Sequence, residues 1–287
     1  MCKKDAQPQF LRTAHNLQLT TDMSFSHSGS IRYFTFDSFA ADSLVHGVFT
    51  RQGGVSPAPW DSLNMGGYLG DDLENTYRNR VRAFEAFGRD PESVFDVWQV
   101  HSAEVICSNI PRPHHAPHQK ADAILTNNPE ITLFMRFADC VPILFHDPVK
   151  RVVGIAHAGW QGTVKRVVAA TVNEMSAVYG SCPADIRAGI GPSIAAHHYE
   201  VGSEVVQRVR ETFGSAAESL LPSQNGSTYF DLWAANQLLL EQSGVGQIEI
   251  SGLCTACHPE DWYSHRGERG QTGRFGALIA LNGSQHG

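Results

Sequence analysis

The amino-acid sequence predicts an α+β, or mixed α/β, fold in which mixed sheets are flanked by helices within a single compact domain. Two observations predict it. Short apolar runs bounded by polar residues crowd the first half of the chain, and longer stretches with helical spacing of apolar residues lie among and after them. These segments follow no strict strand–helix alternation, so a regular doubly wound sheet is not expected.

The elements are predicted in order from periodicity, β-propensity and turn residues. Strands are expected at 45–50, 94–100, 104–109, 122–126, 131–137, 141–147, 151–157, 186–191, 248–251 and 273–281. Helices are expected where apolar residues recur every three to four positions, over 77–88, 164–178, 203–213 and 231–244. Asp231 is the expected N-cap of the last helix, and Gly180 and Gly244 are expected helix ends.

The composition restricts the class of protein. The 287 residues include 22 Lys and Arg against 29 Asp and Glu, a net charge of −7 that does not indicate binding to nucleic acid or a membrane. No apolar run reaches the roughly 18 residues of a membrane span, and the N-terminus lacks the apolar stretch of a secretory signal. Six cysteines are too few for a disulfide framework here, so we expect a cytoplasmic protein with free thiols or thiolate ligands.

The chain is predicted to have two parts of unequal size. Residues 1–30 are polar, rich in Ser and Thr and aperiodic, which predicts a flexible N-terminal extension. Residues 31–287 are predicted to form a single catalytic domain, long enough to bury a core without disulfides. No feature of the sequence predicts the oligomeric state.

Two segments carry reactive side chains at the ends of predicted strands. FADCVPILF places Cys140 between two apolar runs, and GIAHAGWQGT ends a strand in His157 before a glycine turn and a helix. In a third segment, VWQVHSAEV, His101 comes just after another aromatic and apolar strand. Sites are commonly built at strand ends that precede helices, and one thiolate with two imidazoles suits zinc. Three protein ligands leave a position open, where zinc lowers the pKa of water to about 7.

Eight blocks carry a family resemblance, in this order: HGVFTRQGGVS, SLNMG, VWQVHSAEV, ADAILTN, ADCVPILF, GIAHAGWQGT, AGIGPSIAAHHYEV and CTACHPEDWYSHR. From about His46 to Leu281 the chain resembles the laccase-domain, polyphenol-oxidase-labelled family, some members of which are labelled peptidoglycan editing factor. The resemblance implies a zinc site at His101, Cys140 and His157. It also implies phosphorolysis of purine nucleosides (adenosine, inosine, guanosine and methylthioadenosine) and deamination of adenosine, with these nucleosides and phosphate as the partners.

Five residues are candidates for the remaining roles in such a reaction. Asp139, beside the ligand Cys140, is a candidate proton shuttle, although neighbouring side chains in a strand alternate in direction. Arg51, in a glycine-rich loop, is a candidate to bind phosphate, because guanidinium grips phosphate in a bidentate manner. Asn64 is a candidate to orient sugar hydroxyls, and Gln99 and Arg136 are further candidates for substrate binding.

Two other groups of potential ligands have no role implied by the resemblance. The family often has a run of small residues and cysteine where this chain has AAHHYEV, which contains His197 and His198. Cys254, Cys257 and His258 match the C-x-x-C-H pattern of c-type haem attachment, which we regard as coincidental without an export signal. A second zinc site at these cysteines would need further ligands.

Three alternative functions remain open at this point. A copper-dependent, laccase-like polyphenol oxidase would need several His-x-His pairs, and none of the fourteen histidines forms one. Copper binds Cys and His ligands more tightly than zinc, so it is an alternative or adventitious metal. A metal-free Cys-His hydrolase acting in peptidoglycan editing, with Cys140 as nucleophile, would look the same in sequence. A non-catalytic scaffold is the third.

Overall fold

The computed structural model describes residues 25–40, 43–68, 70–113 and 115–283. Its strands are β1 (Phe25–Ser28), β2 (Ile31–Phe34), β3 (Leu44–Phe49), β4 (Val94–Phe95), β5 (Val105–Cys107), β6 (Ala123–Thr126), β7 (Thr132–Phe137), β8 (Val141–Asp147), β9 (Val152–Ala158), β10 (Arg187–Ile190), β11 (Ser223–Gln224), β12 (Ser227–Thr228), β13 (Gln247–Ile250) and β14 (Phe275–Leu281). Its α-helices are α1 (Leu73–Ala86), α2 (Trp160–Val164), α3 (Val167–Tyr179), α4 (Ser203–Phe213), α5 (Ala217–Leu220) and α6 (Leu232–Gln242).

Two six-stranded mixed sheets form the centre of the fold. The first sheet has the order β1-β2-β3-β14-β7-β4, and the second has the order β13-β10-β8-β9-β6-β5. Neighbouring strands are antiparallel except at the edges, where β4 runs parallel to β7, β5 to β6 and β13 to β10. The prediction of mixed sheets flanked by helices in one domain is confirmed.

Alternation along the strands places one apolar face of each sheet against the other sheet. In β8, Leu144 packs between the sheets, whereas Ile143 and Phe145 face α3 and α6. In the first sheet, Phe134 and Leu278 turn to the opposite face and pack with residues of α1. Because side chains of a strand point alternately to its two faces, strands buried on both faces read as continuous apolar runs. The layers are therefore helix, sheet, sheet and helix.

Most predicted elements are observed, and two of the differences are informative. The predicted strand 94–100 is a strand only at β4. Beyond Phe95 the backbone makes one isolated bridge, between Trp98 and Lys120, and elsewhere bonds with side chains, as where Asp122 accepts from the Val100 N–H. The long helix predicted over 164–178 is broken into α2 and α3, since Arg166 adopts a left-handed conformation with φ of 64°. The helix end at Gly180 and the Asp231 cap are observed as predicted.

The predicted boundary of the N-terminal extension falls inside a β-hairpin. β1 pairs in antiparallel register with β2, so the folded part includes residues that were assigned to the extension. Residues 1–24 lie outside the described residues. No helix within the described ranges is long and apolar enough to cross a membrane. Free thiols are found as expected at Cys107, Cys140, Cys254 and Cys257, whereas Cys182 is disulfide-bonded, contrary to that expectation.

Candidate active site

The antiparallel pair β8–β9 brings Cys140 and His157 together. In this register Val141 lies opposite Ala158 and Pro142 opposite His157. Cys140 immediately precedes β8, so it lies across from Gly159, at the end of β9. The spacing of 17 residues between Cys140 and His157 therefore corresponds to two neighbouring strands, as the sequence predicted.

His101 reaches the same place from an irregular segment after β4. Its backbone has a φ of 58°, a left-handed conformation that is uncommon outside glycine. The Lys165 ammonium donates a hydrogen bond of 2.7 Å to the His101 carbonyl and so helps to hold this conformation. His101 Nε2 lies 4.0 Å from Cys140 Sγ, and the two imidazole rings of His101 and His157 are 5.0 Å apart in an edge-to-face arrangement.

The three side chains converge as metal ligands would. One ligand atom of each lies within 4.8 Å of the others. A Cβ added to Gly159 would lie 2.8 Å from Cys140 Sγ and 3.1 Å from His101 Cδ2, so a side chain there would fill the space between the ligands. The donor set and this cradle fit a metal ion, and three protein ligands leave a coordination position for water or substrate.

Asp122 orients two of the three ligands. Its Oδ1 lies 2.9 Å from His157 Nδ1, which directs the other ring nitrogen toward the cluster. Its Oδ2 accepts hydrogen bonds from the Val100 N–H at 3.1 Å, the Ser102 N–H at 2.6 Å and the Ser102 hydroxyl at 2.8 Å, and these bonds fix the segment that carries His101. A carboxylate behind a metal-binding histidine sets its tautomer and raises its basicity. The sequence analysis did not single out Asp122, although it is fully buried within the quoted block ADAILTN.

The electrostatics of the cluster favour a thiolate. Burial alone would raise the pKa of the Cys140 thiol, but the charge of His157 and hydrogen bonds with both histidines outweigh burial and lower this pKa to about 6. Burial would lower the pKa of His157, but the Cys140 charge and the Asp122 hydrogen bond raise it to about 9. The pKa of Asp122 is lowered to about 2, because the hydrogen bonds with His157 and Ser102 outweigh the effect of burial. These opposite shifts of the two pKa values favour a Cys140 thiolate beside a protonated His157.

Asp139 lies beside the cluster, and its carboxylate joins loops from two parts of the chain. Oδ1 accepts hydrogen bonds of 2.7 Å from the Thr255 and Ser264 hydroxyls, and Oδ2 accepts one of 2.6 Å from the Arg266 N–H. The residue itself has a φ of 76° and is buried. The structure therefore places the predicted proton shuttle next to the metal ligands, where it also organises the surrounding loops.

Arg51 and Asn64 are held by contacts within the protein. The Arg51 guanidinium donates to the carbonyls of Asp61 and Pro259, at 2.8 and 3.0 Å, and to the Glu268 carboxylate at 3.0 Å. Asn64 is fully buried, and its Oδ1 accepts from the Gly66 and Arg274 N–H groups at 3.0 and 2.9 Å. Asn64 thus supports the backbone of Arg274, and Arg51 ties its own loop to the 259–268 segment.

Gln99 and Arg136 contact each other. The Gln99 amide donates to the Arg136 carbonyl at 2.8 Å and accepts from the Arg136 N–H at 3.1 Å, which extends the edge of β7 as a strand would. The Arg136 guanidinium donates to the Val97 carbonyl at 3.0 Å and lies 3.8 Å from the carboxylate of buried Asp96. In this structure both predicted substrate contacts take part in supporting the sheet edge.

Two further residues near the cluster were not singled out from the sequence. Burial lowers the pKa of Arg274, whereas the charges of Cys140 and Asp139 act to raise it, so this guanidinium lies within electrostatic range of the cluster. Burial and the Cys140 charge raise the pKa of Tyr199, whose ring lies 5.2 Å beneath the Arg266 guanidinium. Neither residue carries a local sequence signal, because each comes from a segment remote from the ligands.

Comparison with known proteins places this metal-binding α/β fold in a family. Residues 45–282 match the family described as multi-copper polyphenol oxidoreductase laccase. The chain therefore belongs to this family. Its matched region contains all three residues of the His101, Cys140 and His157 cluster, and the family together with the cluster indicates a metal-dependent protein.

Named relatives in the family point to an enzyme. The chain is 37% identical over 246 residues to the purine nucleoside phosphorylase YlmD of Bacillus subtilis, an alignment that covers 83% of this chain and 88% of the relative. It is 38% identical over 239 residues to a purine nucleoside phosphorylase of Deinococcus radiodurans, covering 83% of this chain and 90% of the relative. The resemblance read from the eight sequence blocks is confirmed.

Solved structures share the whole fold. YlmD from Geobacillus stearothermophilus superposes with a TM-score of 0.85 at 32% identity, covering 91% of this chain and 100% of that one. The Bacillus licheniformis protein YfiH superposes with a TM-score of 0.83 at 31% identity, covering 90% and 99%. The two-sheet architecture that positions the site is therefore that of these relatives.

Proposed function

We propose that this chain is a purine nucleoside phosphorylase with adenosine deaminase activity, acting at one zinc ion held by His101, Cys140 and His157. Its substrates are adenosine, inosine, guanosine and methylthioadenosine. The observation that carries the proposal is the convergence of these three side chains, in a chain whose relatives are named purine nucleoside phosphorylases. Zinc supplies a Lewis acid that favours ionisation of water near neutral pH.

Phosphorolysis and deamination require different bonds to form and break at the same site. In phosphorolysis a phosphate oxygen bonds to ribose C1′ while the bond from C1′ to purine N9 breaks, and the departing base keeps the electron pair and takes up a proton. In deamination the oxygen of water bonds to purine C6, and the exocyclic amine leaves as ammonia with a proton from that water. Both reactions need a proton carrier next to the metal ligands.

Asp139 is the proposed proton carrier. Its Oδ1 is occupied by two hydroxyl donors, whereas Oδ2 accepts a single hydrogen bond, from the Arg266 N–H. A carboxylate oxygen has two acceptor positions, so Oδ2 retains one that can take a proton without breaking the loop contacts. The left-handed backbone of Asp139 turns its side chain toward these loops rather than continuing the strand.

The phosphate site has two candidate arginines. Arg51, the candidate from the sequence, would have to exchange carbonyl and carboxylate partners for phosphate. Arg274 lies near Cys140 and Asp139, and its guanidinium donates hydrogen bonds to the carbonyls of Thr272 and Gly273. Replacing the two carbonyl partners of Arg274 by a phosphate dianion costs less free energy than replacing the carboxylate partner of Arg51. The reason is that charge-assisted hydrogen bonds are about twice as strong as neutral ones. We therefore place phosphate at Arg274 and assign Arg51 to holding the loop.

The proposal is tested by chromatography of adenosine and inosine incubated with the zinc-loaded protein, with and without phosphate. Free adenine or hypoxanthine that forms only with phosphate indicates phosphorolysis, and inosine formed from adenosine without phosphate indicates deamination. Both activities should be lost in His101→Ala and Cys140→Ala. Cys107→Ser, which changes a free thiol on β5 outside the cluster, should retain them. Intact nucleosides in the presence of stoichiometric zinc would refute the assignment.

A comparison of two conservative variants tests the phosphate site. Arg274→Lys keeps the charge but loses the bidentate geometry, so it should raise the KM for phosphate at least tenfold and leave deamination nearly unchanged. Arg51→Lys should instead lower thermal stability with little change in this KM. The reverse pattern would assign phosphate to Arg51.

A second function is favoured by one observation, the convergence of Cys140 with His157, in surroundings that lower the pKa of the thiol and raise that of the imidazole. A thiolate paired with an imidazolium is the arrangement of a cysteine nucleophile. This metal-free hydrolase predicts that iodoacetamide abolishes activity and that a chelator does not. The zinc enzyme predicts the opposite result, because a metal-bound thiolate is shielded from alkylation.

A further inference from the structure

A second group of potential metal ligands lies outside the site described above. His197, His198, Cys254 and Cys257 each offer one ligand atom, and these four atoms lie within 4.8 Å of one another. His197 Nε2 is 3.1 Å from Cys257 Sγ, and His198 Nδ1 is 3.6 Å from both sulfur atoms. Tetrahedral zinc with its usual bond lengths requires about 3.3 to 3.8 Å between such ligand atoms. The observed separations are close to that range.

The backbone arranges these ligands through bonds of its own. The Cys257 N–H bonds to the Cys254 carbonyl at 3.2 Å, which closes a turn around the C-x-x-C pair. The His198 N–H bonds to the Ala195 carbonyl at 3.0 Å in a short 3-10 helix that presents both imidazoles, whose rings are 4.6 Å apart. The Ala195 N–H also donates to Cys254 Sγ at 3.4 Å, a contact that stabilises a thiolate.

We infer that His197, His198, Cys254 and Cys257 form a second, structural zinc site. Two thiolates and two neutral imidazoles complete a tetrahedron, so no position remains for water or substrate, in contrast to the open cluster at Cys140. Two thiolates also balance the charge of one divalent cation. A tetrahedral set of two sulfurs and two nitrogens selects zinc over magnesium or calcium, which take oxygen ligands.

The proposed site joins two segments that are distant in sequence. One segment follows β10 and the other follows β13, and they already meet in a bridge between Ser193 and Cys254. Each also contacts Asp139, since the Ile194 N–H bonds to its carbonyl and the Thr255 hydroxyl to its carboxylate. A metal that clamps these segments would thus position Asp139 and the wall of the first site, without contacting substrate.

The inference is tested by metal content and by cobalt spectroscopy. The full chain, purified with a reductant that does not bind zinc, should hold two equivalents of zinc. Cys257→Ser and His197→Ala should each hold one. Both residues are exposed, so these variants should fold. Cys107→Ser is the matched thiol control and should keep two. In the Cys140→Ala variant, added Co²⁺ should give the intense visible bands of a tetrahedral site together with a thiolate charge-transfer band.

Three results would overturn the second site. The first is zinc content that does not fall in Cys257→Ser and His197→Ala. The second is a Cys140→Ala protein in which Co²⁺ remains octahedral. The third is a Cys254–Cys257 disulfide, found by mass spectrometry after purification under reductant, because oxidised sulfurs cannot serve as thiolate ligands. Loss of nucleoside activity with both zinc equivalents retained would count against the proposed function only.

Discussion

Asp122 connects His157 to the segment that carries His101, and it does so with a single buried carboxylate. Both oxygens are used, one for the imidazole and the other for three donors near His101. Residues of this kind cannot be found from spacing, because their importance lies in which atoms they face. The convergence of His101, Cys140 and His157 could be predicted, since a cysteine and a histidine at strand ends are unusual for packing alone.

Replacing Asp122 by asparagine should weaken metal binding at the first site by about 10- to 100-fold. The amide is nearly isosteric but carries no charge, so His157 loses its anionic partner and its fixed tautomer. Affinity is measured by competition with a chromophoric chelator in the Cys257→Ser background, which removes a ligand of the second cluster. Asp231→Asn is the matched control, because asparagine caps α6 as well as aspartate does. Equal affinity in the two variants would contradict this role for Asp122.

At the scale of elements, local contacts decided where helices and strands end. The break between α2 and α3 occurs at Arg166, which adopts a left-handed conformation. No glycine or proline stands at this position to predict the break from the sequence. The apolar stripe continued through the break, so periodicity alone predicted one helix. β4 likewise ends early, and the residue after it, Asp96, is held through its side chain by three cationic or titratable groups.

Asp96 should be a source of acid sensitivity. Its buried carboxylate lies 2.6 Å from Arg112 Nε, 3.1 Å from His118 Nε2 and 3.8 Å from Arg136 Nη1. Burial would raise the pKa of Asp96, but the His118 hydrogen bond and the arginine charges hold it well below its usual range. A depressed pKa stabilises the folded state above the unfolded pKa of about 4, and the stabilisation is lost as pH falls below it.

Asp96→Asn should therefore lower the free energy of unfolding by about 3 kcal/mol at pH 7, because buried arginines lose their counter-charge. The loss should be smaller at pH 3 than at pH 7, because below the unfolded pKa of about 4 the wild-type carboxylate progressively loses its advantage. Urea unfolding at both pH values measures the difference. The exposed carboxylate variant Asp185→Asn serves as control. A loss for Asp96→Asn that is independent of pH would contradict the electrostatic explanation.

At the scale of the whole molecule, the core between the two sheets holds the β8–β9 pair in place. Leu144 lies in this core, whereas Val149, in the turn after β8, is 66% exposed. Cys140 and His157, two of the proposed metal ligands, are at the opposite end of the same strand pair. The interior of the sheets therefore supplies stability, and the chemistry is confined to the strand ends.

Leu144→Ala should lower the free energy of unfolding by about 2 to 5 kcal/mol, since it removes buried contacts and leaves a cavity. Metal content should stay unchanged, because the backbone pairing of β8 with β9 persists. Val149→Ala should change stability by less than about 0.5 kcal/mol. Denaturant unfolding with zinc analysis checks both quantities. A Leu144→Ala protein that folds stably but has lost its zinc would show that the site depends on the core directly.

The sequence by itself determined the mixed α/β class, the positions of most strands, the family and the three residues of the first cluster. These follow from local periodicity, from reactive residues at strand ends and from ordered motifs. Only the tertiary structure decided that Asp122 orients the proposed ligands and that Arg51 and Asn64 form hydrogen bonds with other groups of the protein. It also decided that the histidine pair 197–198 meets Cys254 and Cys257. These contacts join residues that are far apart in sequence, and sheet register and loop packing, which set such distances, have no local signal.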